Sequence, residues 1–330
     1  MSPSPCSDPV KLPPLDALQS AAAIVHRSIA PTALIRWPLL QERTGAEVWI
    51  KHENHTPVGA FKIRGGLVYM EHLAREQAGL AGVITATRGN HGQSIAFAAA
   101  RAGLRAVIVV PRGNSPEKNA AMRALGAELV ERGGDFQEAY EEAMRIAAEE
   151  SLHLVRSFDE RLIAGVASYA LELFAAAPPL DAVYVPIGLG SGICGTIAAR
   201  NALALRTEVI GVVAAGAPAY ARSFAERRPV ATEAAETIAD GIACRTPNAD
   251  AVRIINQHAA RIVTVSDAEI RAAMRALFSD THNAAEGAGA AALAALCRER
   301  ETMRGRRVAL ILSGGNVDRD VFARVLGEKG

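Results

Sequence analysis

The sequence predicts an α/β protein built from two doubly wound domains, each around a mostly parallel sheet. Short apolar runs alternate with amphipathic segments along the chain, which is typical of parallel strands joined by right-handed helical crossovers. With 330 residues, the chain is long enough for two modest cores. Half of the residues are hydrophobic and only 5% are aromatic, so we expect mainly aliphatic cores.

The predicted strands are separated by segments that carry helix-start signals. Ser115 followed by Pro116 is typical of an N-cap with proline in the first turn, and Gly126 would end that helix. Asp135 and Glu138 resemble a capping box ahead of a helix over residues 139–149. We predict strands at residues 48–51, 83–86, 106–110, 128–131, 153–157, 182–187, 209–213, 262–265 and 308–312.

The order of these elements divides the chain into two domains. We place a small α/β domain over residues 54–157 and a large domain over residues 1–53 and 158–330. No segment rich in proline, serine and glycine separates the two, so the division depends on topology alone.

Charge and composition exclude several classes of partner. The chain has 36 basic and 35 acidic residues, so it carries no field that would attract nucleic acid or anionic lipid. No apolar run approaches the roughly 20 residues that span a bilayer, and the first residues lack a secretory pattern. The four cysteines lie far apart without metal-ligand spacing. We therefore expect a cytoplasmic protein with reduced thiols and no membrane or nucleic-acid partner.

Lys62 is the first candidate for a catalytic residue. It follows a turn that contains Pro57 and Gly59, and it precedes Gly65 and Gly66. A lysine that attacks a carbonyl carbon must lose its proton near neutral pH, and burial or a neighbouring cation lowers its pKa. The adjacent residues Phe61, Ile63 and Arg64 would supply both influences. A surface lysine beside an arginine is the alternative.

A glycine loop follows the predicted strand 182–187. Residues 188–192 read Gly-Leu-Gly-Ser-Gly and precede a predicted helix over residues 193–204, so their backbone N–H groups suit a phosphate. Residues 190–195 also match the dinucleotide fingerprint GxGxxG. The next predicted strand ends at Val213 without the acidic residue that a dinucleotide site requires. We therefore favour a monophosphate.

Two further loops contribute polar groups. Residues 87–91 follow a predicted strand, and their amides would hold a small anion such as a substrate carboxylate. In this segment Asn90 offers both a donor and an acceptor, although a polar helix cap is the alternative. Ser313 lies at the carboxyl end of strand 308–312, where α/β proteins bind ligands. An amine, a phosphate cradle and a hydroxyl beside a diglycine turn are together what a protein needs to hold pyridoxal phosphate.

The chain resembles the fold-type II pyridoxal-phosphate enzymes, which share the tryptophan synthase β-subunit-like fold. The resemblance is strongest to the serine/threonine dehydratase and serine racemase group, and it extends from about residue 31 to residue 321. Few residues follow Asn316, so we expect the short catabolic form without a regulatory domain. The motifs that carry the resemblance are Lys-His-Glu-Asn (51–54), Gly-Ala-Phe-Lys-Ile-Arg-Gly (59–65), Arg-Gly-Asn-His-Gly-Gln (88–93), Gly-Leu-Gly-Ser-Gly (188–192), Ala-Asp-Gly-Ile-Ala (239–243), Glu-Gly-Ala-Gly-Ala (286–290) and Ser-Gly-Gly-Asn (313–316).

The resemblance implies roles for these residues and a homodimeric assembly. Lys62 would form the Schiff base with the cofactor and move protons at the substrate α-carbon. Phe61 would pack against the cofactor ring, Asn90 would bind the phenolic oxygen, and Ser313 would meet the pyridine nitrogen. The phosphate would be held by Gly188, Leu189, Gly190, Ser191 and Gly192, and the substrate would be held by Thr87, Arg88, Gly89, Asn90 and His91.

The implied reaction removes water from a β-hydroxy-α-amino acid and releases a 2-oxo acid and ammonia. A serine hydroxyl at the ring nitrogen does not force its protonation, which favours loss of a β-leaving group. An amino-acid racemase on the same scaffold is one alternative, and a nucleotide-dependent oxidoreductase that uses residues 190–195 is another.

This chain departs from the family pattern at several positions. Ala60 stands where a serine is usual, and Leu189 and Ser191 replace glycines of the phosphate loop. Val213 replaces the acidic metal ligand of some relatives, so we expect no metal site. Arg88 occupies the position of the second acid/base of the racemase, which argues against racemisation. Our hypothesis is that Arg88 pairs with a polar or anionic substrate side chain, while an outward-facing arginine is the alternative.

Overall fold

The computed structural model describes residues 9–77 and 79–328, and it confirms an α/β fold with mostly parallel sheets. A six-stranded sheet has the order β1-β2-β10-β7-β8-β9, and a four-stranded sheet has the order β5-β4-β3-β6. The strands are β1 Leu34–Arg36, β2 Glu47–His52, β3 Val83–Ala86, β4 Ala106–Val110, β5 Glu128–Glu131, β6 His153–Leu154, β7 Ala182–Pro186, β8 Glu208–Ala214, β9 Arg261–Val265 and β10 Arg307–Leu312.

Strand direction follows the prediction, with one addition. All pairs are parallel except β1 with β2, in which Leu34 lies opposite Lys51. The three-residue edge strand β1 was not predicted, because its length is too short to show an alternating pattern. Strands β3, β4 and β5 have the predicted bounds, and β6 ends at Leu154 rather than at residue 157.

Helices connect the strands in the described residues. They are α1 Leu15–His26, α2 Pro38–Thr44, α3 Lys62–Glu76, α4 Asn90–Arg101, α5 Pro116–Ala124, α6 Phe136–Glu149, α7 Glu160–Ala176, α8 Ser191–Ala202, α9 Ala219–Glu226, α10 Ala249–His258, α11 Asp267–Thr281, α12 Gly287–Arg298, α13 Arg300–Met303 and α14 Arg319–Gly327. Short 3₁₀ turns lie at Glu53–His55 and Asp240–Ile242.

The predicted helix starts at Ser115 and Asp135 are present in the structure. The Ser115 hydroxyl accepts from the Lys118 N–H at 3.1 Å, and the Asp135 carboxylate accepts from the Glu138 N–H at 2.9 Å. The reciprocal half of the predicted capping box is absent, because the Glu138 carboxylate accepts from the Gly134 N–H instead. Both helices therefore begin at their predicted N-caps.

Helices cover both faces of each sheet, so both sheets are doubly wound. One face of the six-stranded sheet packs against α11 and α12, and the other packs against α7, α8 and α10. The four-stranded sheet lies between α3 and α4 on one side and α6 on the other. These cores are mainly aliphatic, as the composition predicts.

The two sheets occupy the two parts of the chain that we assigned to separate domains. The four-stranded sheet lies within residues 54–157, and the six-stranded sheet lies outside that range. The exact boundaries at residues 53/54 and 157/158 stay a prediction. In the described part of the chain, no helix has the length and apolar character to cross a membrane.

Candidate active site

Lys62 begins helix α3, and the loop before it docks against the loop that follows β10. The Phe61 N–H donates to the Ser313 carbonyl at 3.0 Å, and Ala60 forms a β-bridge with Gly314. Two segments that are about 250 residues apart in the sequence therefore meet. This contact places the residues that carry the candidate amine and the candidate hydroxyl in adjoining segments.

The Lys62 amine faces the glycine loop. Its Nζ donates to the Ser191 Oγ at 3.1 Å, and it lies 5.1 Å from the centre of the Phe61 ring. Desolvation by the surrounding protein lowers the pKa of Lys62 from 10.5 to about 8. A substantial fraction of this amine is therefore neutral near physiological pH, which a carbonyl-attacking lysine requires.

Arg64 does not contribute to that pKa, contrary to our sequence interpretation. Its guanidinium is fully buried and contacts Glu53 at 2.7 Å and Glu172 at 2.6 Å. Lys51, also buried, pairs with Glu172. The two carboxylates neutralise the arginine, so burial alone lowers the pKa of Lys62.

The glycine loop presents a cradle of free backbone donors at the start of α8. The N–H groups of residues 188–193 donate to no protein acceptor within residues 9–77 and 79–328. Gly190 has a left-handed backbone with φ of +105°, which lets the chain turn from β7 into the helix. A Cβ on Gly188 would lie 2.5 Å from the Gly241 carbonyl oxygen. This arrangement suits a phosphate group.

The loop after β3 leaves part of its backbone available. The Thr87 hydroxyl accepts from the Gly89 N–H at 3.0 Å, so that amide is occupied. The N–H groups of Arg88, Asn90 and His91 have no acceptor among the described residues. The Thr87 N–H donates to the Val109 carbonyl at 3.0 Å, so three of the five amides of residues 87–91 are free to bind a carboxylate.

Two buried side chains in this segment have unpaired nitrogen atoms. The His91 Nε2 and the Gln93 Nε2 make no hydrogen bond within the described structure, and both residues are less than 8% exposed. Desolvation, with a smaller contribution from the positive charge of Lys62, lowers the pKa of His91 to about 3. Buried polar atoms normally have partners, so these two indicate where a polar ligand would bind.

Asn90 belongs to a network of polar contacts. The sequence predicted Asn90 as a site residue but did not predict Lys118. It donates to Glu286 Oε1 at 2.6 Å and accepts from Asn316 at 2.8 Å. Glu286 Oε2 in turn lies 3.3 Å from Lys118 Nζ, and Lys118 pairs with Asp240 at 2.6 Å. Glu286 is buried in the site and also immediately precedes α12, so it is both a pocket acid and a helix N-terminal residue.

The charged groups in this network of contacts shift one another's pKa values. Burial raises the pKa of Glu286, while Lys118 opposes the increase. Burial disfavours the Lys118 charge, but Glu286 and Asp240 outweigh it and raise the pKa of Lys118. We missed Lys118 because a single lysine in a helix carries no pattern. Its importance depends on a partner that is 168 residues away in the sequence.

Arg88 lies at the edge of the site. Its side chain is exposed and lines a cavity of about 250 Å³ together with Arg112 and Asp240. Of the other predicted positions, Phe61, Leu189 and Ser313 lie in the loops around Lys62, and Gly192 lies in the first turn of α8. Ser313 is 6% exposed, and its hydroxyl has no hydrogen-bond partner in the described part of the chain.

These groups fit pyridoxal phosphate. The fit depends on an amine with a lowered pKa, a row of free amide donors at a helix start, and buried polar nitrogen atoms without partners in the segment after β3. Lys62 would hold the aldehyde end, residues 188–192 the phosphate, and Ser313 the ring nitrogen. Within the described residues, no group of three or more His, Cys, Asp or Glu side chains could hold a metal ion.

Comparison with known proteins agrees with this site. The sequence model of the family described as pyridoxal-phosphate dependent enzyme matches residues 25–314. The chain therefore belongs to the pyridoxal-phosphate-dependent enzymes. It is 35% identical to an L-threonine ammonia-lyase of Thermotoga maritima, over 95% of this chain and 77% of that protein.

Two further comparisons cover nearly the whole of both proteins. A phenylserine dehydratase of Ralstonia pickettii is 36% identical over 97% of this chain and 98% of its own length. The structure of maize serine racemase superposes with a TM-score of 0.90 at 25% identity, over 95% of this chain and 97% of that chain. The likeness thus includes both elimination and racemisation enzymes.

Proposed function

We propose that this protein is a pyridoxal-phosphate-dependent ammonia-lyase that removes water from a β-hydroxy-α-amino acid and yields a 2-oxo acid and ammonia. The observation that carries the proposal is the Lys62 amine, with its pKa of about 8, beside the free amides of residues 188–193. Relatives named L-threonine ammonia-lyase and phenylserine dehydratase support the reaction class.

The roles of the protein groups follow from their positions. The cofactor supplies an electron sink for charge that develops at the substrate α-carbon. Lys62 Nζ accepts the proton from that carbon, because it is the amine in the site with a lowered pKa, and it gives a proton to the departing hydroxyl so that water leaves. The free amides of residues 88, 90 and 91 orient the substrate carboxylate. Ser313 offers the ring nitrogen a hydroxyl rather than a carboxylate, which supports elimination.

Ammonia and 2-oxo acid release from L-serine, L-threonine, phenylserine and 3-hydroxyaspartate tests the proposal. We expect turnover of at least one of these by the wild-type protein, and a loss of about 10³-fold or more in Lys62→Ala. The matched control is Lys11→Ala, which replaces an exposed lysine outside the site and should retain full activity. The absence of 2-oxo acid from all four substrates, with the cofactor bound, would exclude this function.

A racemase is the second candidate, because maize serine racemase shares the fold over nearly the whole chain. Chiral chromatography after incubation with L-serine separates the two activities. Predominant formation of D-serine over pyruvate would replace our proposal with racemisation. The family assignment leaves the nucleotide-dependent oxidoreductase without support.

We also propose a homodimer with a small amino acid as its ligand, and a cytoplasmic location. The homodimer extends the family resemblance, and the cytoplasmic location extends the expectation of reduced thiols. Sedimentation velocity on the purified holoprotein tests the assembly, and a single species at the monomer mass would contradict it.

A further inference from the structure

A polar cavity lies beside the predicted substrate loop, at the carboxyl ends of the strands in the four-stranded sheet. Its volume is about 250 Å³, and the loops after β3, β4 and β5 form most of its wall. Arg88, Arg112, Asn114 and Ser115 line it, and Asp240 lines it from the 3₁₀ turn Asp240–Ile242. The carboxyl ends of strands are where α/β proteins bind ligands.

The cavity has an excess of positive charge. Arg88 and Arg112 are exposed, and neither forms a salt bridge with a carboxylate in residues 9–77 and 79–328. The one carboxylate in the wall, that of Asp240, is already paired with Lys118 at 2.6 Å. By contrast, Arg105 on the same sheet lies between two glutamates. Two arginines without acidic partners among the described residues therefore line one small cavity.

The residues that line the cavity also determine which chemical groups of a ligand would bind there. Apart from Pro111, the residues that line the cavity are charged, polar or glycine, and no aromatic or branched aliphatic side chain is among those described. A phenyl group would gain little apolar contact there. A carboxylate could accept two parallel hydrogen bonds from a guanidinium, which is the strongest recognition that arginine offers.

The position of Arg88 connects the cavity to the reaction. Arg88 lies within the loop whose amides at residues 88, 90 and 91 are free for the substrate α-carboxylate. Arg88 also lines the cavity, so a molecule held at this loop by its α-carboxylate would lie next to the cavity. The charge in the cavity would therefore act on the substrate's own side chain.

We propose that Arg88 and Arg112 bind a second carboxylate on the substrate, so that the preferred substrate is a β-hydroxy-α-amino dicarboxylic acid. This inference rests on the proposed function and specifies its substrate class. Arg88 and Arg112 determine specificity, and they take no part in proton transfer.

The test compares 3-hydroxyaspartate with L-serine, which lacks the second carboxylate. We expect the wild-type holoenzyme to favour 3-hydroxyaspartate in kcat/KM. Arg88→Ala and Arg112→Ala should each lower the ratio of the two kcat/KM values about tenfold, mainly through KM, as expected for a lost charge-assisted hydrogen bond. Arg88→Lys, which keeps the charge, should lose less. Arg132→Ala replaces an exposed arginine after β5 that does not line the cavity, and should leave the ratio within about twofold of wild type.

A binding measurement separates this inference from the proposed reaction. Changes in cofactor absorbance report the Kd of each amino acid even if neither is turned over. An unchanged ratio of both kcat/KM and Kd in Arg88→Ala and Arg112→Ala would overturn the inference. So would an effect of succinate on L-serine turnover that is not competitive and disappears in Arg112→Ala, because the cavity would then bind a separate anion.

Discussion

Replacement of Lys118 by methionine should destabilise the protein in a strongly pH-dependent way. Lys118 is 7% exposed, and it is the cation nearest to Glu286, which is 2% exposed. Methionine keeps most of the apolar stem and removes only the charge. The carboxylate of Glu286 would then remain buried with the Asn90 amide and the like charge of Asp240 as its neighbours.

Two free-energy costs limit how much stability the Lys118→Met variant loses. Removal of one partner from a buried ion pair costs about 3–5 kcal/mol. Glu286 can avoid that cost by taking up a proton. At pH 7 this requires about 3.7 kcal/mol, from an ordinary glutamate pKa of about 4.3 and about 1.36 kcal/mol per pH unit. We therefore expect a loss of about 3 kcal/mol at pH 7.

Protonation of Glu286 also determines how the free energy of unfolding of the variant changes with pH. A carboxyl whose pKa is raised in the folded state favours folding at low pH, and this advantage is lost as the pH rises towards the folded pKa. Burial already raises the pKa of Glu286, and loss of Lys118 would raise it further. The variant should thus be nearly as stable as wild type at pH 5 and much less stable at pH 8.

Urea unfolding of the cofactor-free protein, followed by circular dichroism between pH 5 and pH 8, measures this. The matched control is Lys118→Met combined with Glu286→Gln, which leaves no buried charge to protonate. It should recover about 2 kcal/mol at pH 8 and show a flat pH profile. Equal destabilisation of Lys118→Met at pH 5 and pH 8, or no recovery in the double variant, would refute the reasoning.

Three further predictions concern the site and its support. Gly190→Ala should lose about 1–2 kcal/mol and bind pyridoxal phosphate more weakly, because an L-residue is strained at φ of +105°; an unchanged Kd in a fluorescence titration would contradict this. In the cofactor-free protein, acylation of Lys62, quantified by mass spectrometry, should reach half its maximal rate near pH 8, since the neutral amine reacts and its pKa is lowered; a midpoint near 10.5 would show an ordinary lysine. Arg64→Met should cost about 3–5 kcal/mol in urea unfolding, because Glu53 and Glu172 lose their shared cation; a loss below about 1 kcal/mol would show that the pair adds little.

Local sequence patterns were sufficient for much of the fold. Strands β3, β4 and β5 have their predicted bounds because each is a short run between turn residues. The N-caps at Ser115 and Asp135 were predictable, since the capping side chain and its amide are three residues apart. The glycine loop at residues 188–192 was recognisable for the same reason, because a phosphate cradle is built from consecutive amides.

Contacts between distant segments could not be predicted from the sequence. Arg64 was expected to lower the pKa of Lys62, but Glu172, which is 108 residues away, neutralises it together with Glu53. Edge strand β1 exists only because β2 offers it hydrogen bonds.

By itself, the sequence determined the α/β class, most strand positions and the loops that carry the candidate amine, cradle and hydroxyl, because those features depend on neighbouring residues. Only the tertiary structure decided which charges are neutralised, that Lys118 reaches Glu286, and that Arg88 and Arg112 share one cavity. The physical reason is that the energy of a charge depends on its burial and on partners that folding brings from elsewhere in the chain.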